Sequence, residues 1–308
     1  MIVTPSTVDN FYITQDVKNT PSRREGIDEL CEFNLRAYGA SLIASACELL
    51  DVDFVVTSTA QTLLHRFYTK KSLGEYCVKA TATASITLAC KLEENTRKTR
   101  DVLNCIRRAQ ELAEGKPKHI VPINTPQYEK SKTESHFMEM LMLREFGFFA
   151  HCSPPHKYAY ALCAHLNLDE ELTRNVWVMC NDSFLTPLCV RFKPDVIACG
   201  CIYLAARRAG VALPTAPPWW RLVDGAELVD LEIIAKTLLA LYEIDERFEY
   251  KHVFGNSRNV DSTKPTSTRD RSRDRDGGRR RSRSPARGEG ERRVRRRDSR
   301  DFRDRSRN

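Results

Sequence analysis

Charged side chains that close or interrupt apolar runs are the residues of this chain best placed to do chemistry. ATASITLACKLEEN, residues 82–95, begins as small and apolar as a helix can be and ends on Lys91, Glu93 and Glu94. SHFMEMLMLREFGF, residues 135–148, sets Glu139 inside a run of Met, Leu and Phe. An ammonium and a carboxylate at the lip of an apolar groove could donate to and accept from the backbone ends of a partner segment. Taken alone, the same two side chains fit an ordinary surface ion pair or two solvated groups. Other candidates are weaker. Cys199 and Cys201, and the group His151, Cys152 and His156, are close in sequence. No pair has the CxxC spacing of a zinc or redox site, so these read as buried small residues and linker residues. The sequence has no phosphate-binding glycine loop, no GxSxG, no HExxH and no kinase HRD, and its seven histidines are scattered. No enzyme activity, cofactor or metal is expected.

Charge divides the 308 residues in two. From Asn256 onward 20 Lys and Arg stand against 9 Asp and Glu, a net of +11; the other 255 residues hold 29 against 32, a net of −3. The 11 cysteines all lie between Cys31 and Cys201, odd in number and mostly in apolar surroundings such as SACELL and TLACKL. That usage points to a reducing compartment. MIVTPSTVDN lacks a basic start followed by an apolar run, and no stretch approaches the ~18 apolar residues of a membrane helix. The expectation is a soluble intracellular protein without a membrane partner.

The elements that must position these residues read as helices. Ser22 to Glu25 fits a capping box. A helical pattern follows through EFNLRAYGASLIASACELLD, then TSTAQTLLHRFYTKKSL with Thr57 or Ser58 as cap and Leu63, Leu64 and Phe67 inward. ATASITLACKLEEN is the third helix, RDVLNCIRRAQELAEG the fourth, closed by Gly115, and SHFMEMLMLREFGF the fifth. After Pro154-Pro155 the order starts again with HKYAYALCAHL, EELTRNVWVMCNDSFL, KPDVIACGCIYLAARRAG and GAELVDLEIIAKTLLALYE. Aligning Leu88-Ala89-Cys90-Lys91 with Leu204-Ala205-Ala206-Arg207 gives an offset of 116 residues. The fold class is therefore all-α, a tandem duplication of a five-helix unit built round a small-residue helix. On its helix Leu88, Lys91, Leu92 and Asn95 share one face; Glu139, Met142, Leu143 and Phe146 share another. The two tryptophans of PPWWRLVDG read as a staple for a loop.

LRAYG, LACKLEE and FMEMLMLREFGF, in that order and spacing, resemble the cyclin family, with two consecutive cyclin boxes. TPSRREGID, NDSFLTPLCVRFKPDVIACGCIYLAAR and the Arg/Ser-rich tail resemble the cyclin L group within it. The resemblance implies a non-catalytic subunit that binds a cyclin-dependent protein kinase as a heterodimer and holds its mobile regulatory helix in the active position. By the same resemblance Lys91 and Glu139 grip that helix, and Leu88, Leu92, Leu143 and Phe148 form the apolar pocket beside them. Many cell-cycle members have a tryptophan following a pair like Leu35-Arg36; here Leu42 stands there, and docking of RxL substrates is not expected. The implied boundaries are an extension at 1–26, boxes at 27–152 and 153–254, and a tail at 255–308.

The tail has almost no large apolar residues and cannot build a core, so it is expected to be disordered. Arg279, Arg280 and Arg281, with Arg292, Arg293, Arg295, Arg296 and Arg297, resemble a nuclear import signal. The Arg-Ser alternation resembles the RS domains of splicing factors, which implies RS-type splicing factors and RNA as further partners and nuclear speckles as the location. Phosphorylation of Ser272, Ser282, Ser284, Ser299 and Ser306 would shift the tail by about −8 to −10 charges, close to neutrality. Two other readings stand beside this one. A cyclin K or T-like activator of a transcription-elongation kinase keeps the mechanism. A TFIIB-like nucleic-acid binder changes it, but that family's zinc ribbon is missing and the folded part is slightly acidic.

Overall fold

Several helix starts in this protein fall at side chains that cap the free backbone. The computed structural model describes residues 19–120, 122 and 125–243. Helix α1 (Pro21–Arg24) is capped by the Thr20 hydroxyl, which accepts from the Arg23 N–H at 3.3 Å. The expected Ser22–Glu25 capping box does not form. Proline fits the first helical turn, so Pro21 moves the cap back to Thr20. Ser22 turns inward to accept from the Leu73 N–H at 3.0 Å, and Glu25 accepts from the Ser72 hydroxyl. Both ends of the presumed box tie α1 to the loop after the third helix instead.

Helix α2 (Glu29–Leu50) starts at Asp28, whose carboxylate accepts from the Leu30 N–H, and stops at Asp51 in the left-handed region. Helix α3 (Phe54–Lys70) begins earlier than Thr57 or Ser58, because Phe54 packs edge-on against His156 at 4.6 Å. Leu63, Leu64 and Phe67 point inward as expected. Helix α4 (Val78–Leu92) is followed by α5 (Thr99–Ala113), closed by Gly115 at φ +65° with the Lys116 N–H bonded back to Glu111. Helix α6 (Pro126–Glu145) starts well before Ser135. Thr125 caps it, Pro126 occupies the first turn, and Tyr128 already reaches the core.

The second series contains α7 (His156–His165), α8 (Glu170–Ser183), α9 (Pro194–Ala209) and α10 (Leu228–Tyr242). Four of the five expected helices are therefore present among the described residues. The place between α9 and α10 is taken by a loop holding Pro214, Pro217 and Pro218 and a 3₁₀ turn, Trp219–Leu222. Prolines lack the N–H a helix interior needs. Trp219 is buried in the second core with Trp220 packed edge-on at 6.2 Å, the stapling role expected of the pair.

Helix α4 packs against α2, α3, α5 and α6, and α9 against α7, α8 and α10. Small residues make this closeness possible: Ala82, Ala84, Ala89 and Cys90 are buried in α4, and Ala198, Cys199, Gly200 and Cys201 in α9. Its buried hydroxyls are satisfied within the helix, as Thr83 donates to Lys79 and Ser85 to Thr81, four residues back. Each repeat has its own apolar cluster. The seam between them combines aromatic contacts of Phe54 with His156 and Phe184 and specific hydrogen bonds. His65 meets the Phe184 carbonyl at 2.9 Å, and Arg66 donates to the His151 carbonyl at 2.8 Å.

Candidate functional site

Packing α4 against α6 brings Lys91 and Glu139 together. The Lys91 ammonium donates to the Glu139 carboxylate at 2.5 Å. The two are unequally placed: the Lys91 side chain is 48 % exposed and that of Glu139 9 %. Glu139 sits on the edge of the inward face formed by Met142 and Phe146, while Lys91 lies in the last turn of α4, where a cation complements the helix dipole. The second Glu139 oxygen faces the His136 imidazole at 3.8 Å. An ammonium with its outer side open to solvent can form further bonds, and the carboxylate behind it is held in place by packing.

The acidic end of α4 divides its labour. Glu93 accepts from the Thr59 hydroxyl at 2.8 Å and ties α3 to the end of α4. Asn95 does not share the Lys91 face. The helix stops at Leu92, Glu94 takes a left-handed φ of +56°, and Asn95 is carried toward Asp53. Leu88 is buried in the core and Leu143 packs partly against it, so these two floor the site. Leu92 and Phe148 are exposed.

Phe148 is the residue whose backbone most suggests a use. After α6, Gly147 and Phe148 are both left-handed, at φ +61° and +62°, and the Phe148 N–H returns to the Leu143 carbonyl at 2.9 Å. A bulky residue held there costs about 1–2 kcal/mol. The strain leaves an aromatic ring 75 % exposed next to the end of α6. Phe137 and Met140, also exposed, continue the apolar surface round α6. Sequence reasoning passed over them. The available signal was that apolar residues occupy both sides of this helix, with Met138, Leu141 and Met142 already filling the inner one.

Other candidates do not assemble. All eleven cysteines are free thiols, and Cys199 and Cys201 are buried in α9, where burial pushes Cys199 up to about 12. Among the described residues no three His, Cys, Asp or Glu side chains could hold a metal ion, and no helix is long and apolar enough to cross a membrane. The import candidates Arg279 to Arg297 and the phosphorylation candidates Ser272 to Ser306 lie outside the described residues.

Comparison with known proteins places this geometry. Residues 8–149 match the cyclin N-terminal domain, and residues 154–241 match the cyclin-T2-like C-terminal domain. The chain is 37 % identical to Cyclin-L1-1 of Arabidopsis thaliana over 269 residues, covering 83 % of this chain and 64 % of that protein. It is 37 % identical to Cyclin-L1 of Homo sapiens over 235 residues, covering 75 % of this chain and 44 % of that one. The chain thus spans less than two thirds of the length of these relatives. A chain in the crystal structure of the yeast RNA Pol II CTD kinase CTDK-1 complex has the same fold, with a TM-score of 0.60, 17 % identity, and coverage of 72 % of this chain and 70 % of that one.

Proposed function

This chain belongs to the cyclin family and sides with the cyclin L proteins within it, and from that premise we propose that it is the regulatory subunit of a cyclin-dependent protein kinase. The observation that carries the proposal is the Lys91–Glu139 pair at the meeting of α4 and α6, with Leu92 and Phe148 exposed and Leu88 and Leu143 beneath. The lysine donates to the carbonyl end of a partner segment and the glutamate accepts from an N–H end, so their mutual bond is exchanged for two bonds to the partner. Each such charge-assisted bond contributes about 1.5–3 kcal/mol, and apolar burial on Leu92, Phe148 and Met140 adds to it. Holding the kinase's regulatory helix there closes its Lys–Glu ion pair and opens the activation loop. The subunit itself transfers no phosphate.

The test is co-purification and phosphotransfer with the partner kinase. Lys91→Ala and Glu139→Ala should each lose the kinase while circular dichroism keeps its helical signal. A double variant that activates the kinase undiminished removes the assignment.

The finer reading is action in RNA polymerase II transcription and pre-mRNA splicing in the nucleus, through the basic tail. Its support is the tail's composition: arginine clusters suited to import, and Arg-Ser alternation whose phosphorylation changes charge in contacts with RS proteins and RNA. Fusing residues 256–308 to a reporter tests this. A cytoplasmic reporter excludes import, and a diffuse nuclear one excludes speckle targeting. A second reading, an elongation-kinase activator, is favoured by the match of residues 154–241 to the cyclin-T2-like domain.

A further inference from the structure

A cleft of about 1060 Å³ opens between α1 and α2 of the first repeat and α10 and the Pro187–Val190 turn of the second. None of the Lys91–Glu139 site residues lines it, so it is a separate surface. Leu30 and Phe33 from α2, Val190, and Ile233 from α10 make its walls apolar. Arg24, Arg191 and Lys236 stand among them.

The carboxylates lining the same cleft are already engaged. Glu32 accepts from the Arg36 guanidinium at 3.0 and 2.8 Å and from the Thr20 hydroxyl at 2.7 Å. Glu29 pairs with Arg23 at 2.9 Å, and Asp28 caps α2. Among the described residues no carboxylate is hydrogen-bonded to Arg24 or Arg191, and Lys236 reaches Glu232 only at 4.0 Å. Arg191 is partly buried with its guanidinium over the Phe192 ring at 5.4 Å. Burial pushes its pKa down, and the Glu29 charge opposes that shift without cancelling it. Among the described residues this is a half-desolvated cation with a carboxylate charge nearby but none bonded to it.

We propose that this cleft binds a phosphoserine or phosphothreonine peptide of a partner protein, with the phosphate between Arg191 and Arg24, Lys236 at the rim, and the next residue against Phe33 and Val190. Guanidinium forks match phosphate oxygens in pairs, and a phosphate carries about −1.5 to −2 charges where a carboxylate carries one. A peptide suits the walls better than RNA. Nucleic acid needs a continuous basic track, whereas three carboxylates line this cleft and the chain before Asn256 is slightly acidic.

Fluorescence anisotropy on the full chain tests the proposal, with a short labelled peptide carrying one phosphoserine followed by proline and its unphosphorylated twin. The phosphorylated form should bind at least about tenfold more tightly. Arg191→Gln should weaken it about tenfold or more. Because Arg191 is partly buried, the double variant Arg24→Gln/Lys236→Gln, at two exposed positions, is the second arm and should weaken binding while leaving the thermal melt unchanged. Equal affinity for both peptides overturns the proposal. So does phosphopeptide binding that neither variant affects, since that places it on the basic tail. A single-stranded RNA that binds more tightly than the phosphopeptide and weakens in the same variants overturns it too.

Discussion

In the first repeat the central helix α4 ends on Lys91, which reaches across to Glu139 of α6; in the second, the matching helix α9 carries Arg207 at that position, lying over the Tyr203 ring of its own helix at 4.8 Å. The difference runs through both cores. Among the described residues the buried charged side chains are Glu32, Arg36, Arg66 and Glu139, all in the first repeat. The buried polar residues of the second are His156, Ser183 and Thr186, with His156 held toward its neutral form by burial. One scaffold is thus used twice, once with ionic groups fixed in it and once packed mainly by apolar and small residues. Buried charge is a poor source of stability but fixes geometry. The repeat that positions a charged lip is the one that contains it.

Arg36 gives the largest effect that could break this contrast. Its guanidinium binds Glu32 and also donates to the His65 carbonyl at 3.1 Å and the Tyr68 carbonyl at 2.7 Å, fastening α2 to α3. Arg36→Met leaves Glu32 buried without its main partner and should lower unfolding stability in urea by about 3–5 kcal/mol. Glu32→Met in the same background should recover much of the loss. If Arg36→Met alone costs under about 1 kcal/mol, the first repeat does not depend on its ionic hub.

Much of this architecture was legible in the sequence, and the reason differs by element. The small-residue runs of α4 and α9 announce helices that others must approach closely, and Gly115 and Gly210 mark helix ends because left-handed backbone suits glycine. Lys91 and Glu139 were legible through the resemblance, and the fold brings them into contact. Arg36 was not. Next to Leu35 it reads as part of a surface docking pair, and only the position of α3 shows that it is buried. Thr20 and Ser22 offer nearby caps that local pattern cannot rank, and the start of α6 depended on Thr125-Pro126 rather than on apolar period. The missing helix of the second repeat was hidden by the assumption that duplication preserves every element.

The charged lip supplies the next effect. Glu139→Lys should weaken kinase binding about tenfold to hundredfold, the equivalent of one or two lost charge-assisted bonds. Arg207→Glu at the corresponding place in the second repeat should change it less than about twofold. Equal losses in a pull-down titration would mean that the repeats share the partner.

Gly200 sharpens the comparison within the cores. A Cβ there would lie 2.5 Å from Ile234 Cγ2 and 2.7 Å from Ile234 Cβ on α10. The residue 116 positions earlier is Ala84, fully buried and accommodated. Gly200→Ala gains about 1 kcal/mol of helix propensity but must displace a branched side chain at a cost of about 1–3 kcal/mol, so a net loss of up to about 2 kcal/mol is expected. Ile234→Ala should make the same substitution stabilising relative to its own background. Thermal melts of the four proteins decide it.

The last contrast lies at the seam and depends on pH. His65 Nε2 faces the Phe184 carbonyl and therefore carries the ring proton, while Nδ1 is buried without a hydrogen-bond partner. Burial, with the Arg36 charge adding to it, lowers its pKa from 6.5 to about 3. Between those values the unfolded chain binds a proton that the folded chain does not. Stability is therefore full above about pH 6.5 and is lost as pH falls toward 3, at up to about 1.4 kcal/mol per pH unit. His156, also lowered, adds in the same direction. Urea melts between pH 5 and 7, above the range where most carboxylates titrate, should show that slope. His65→Gln keeps a donor for the Phe184 carbonyl and removes the titration, so the slope should flatten. An unchanged slope would place the acid sensitivity at His156 or within the repeats and not at the His65–Phe184 contact.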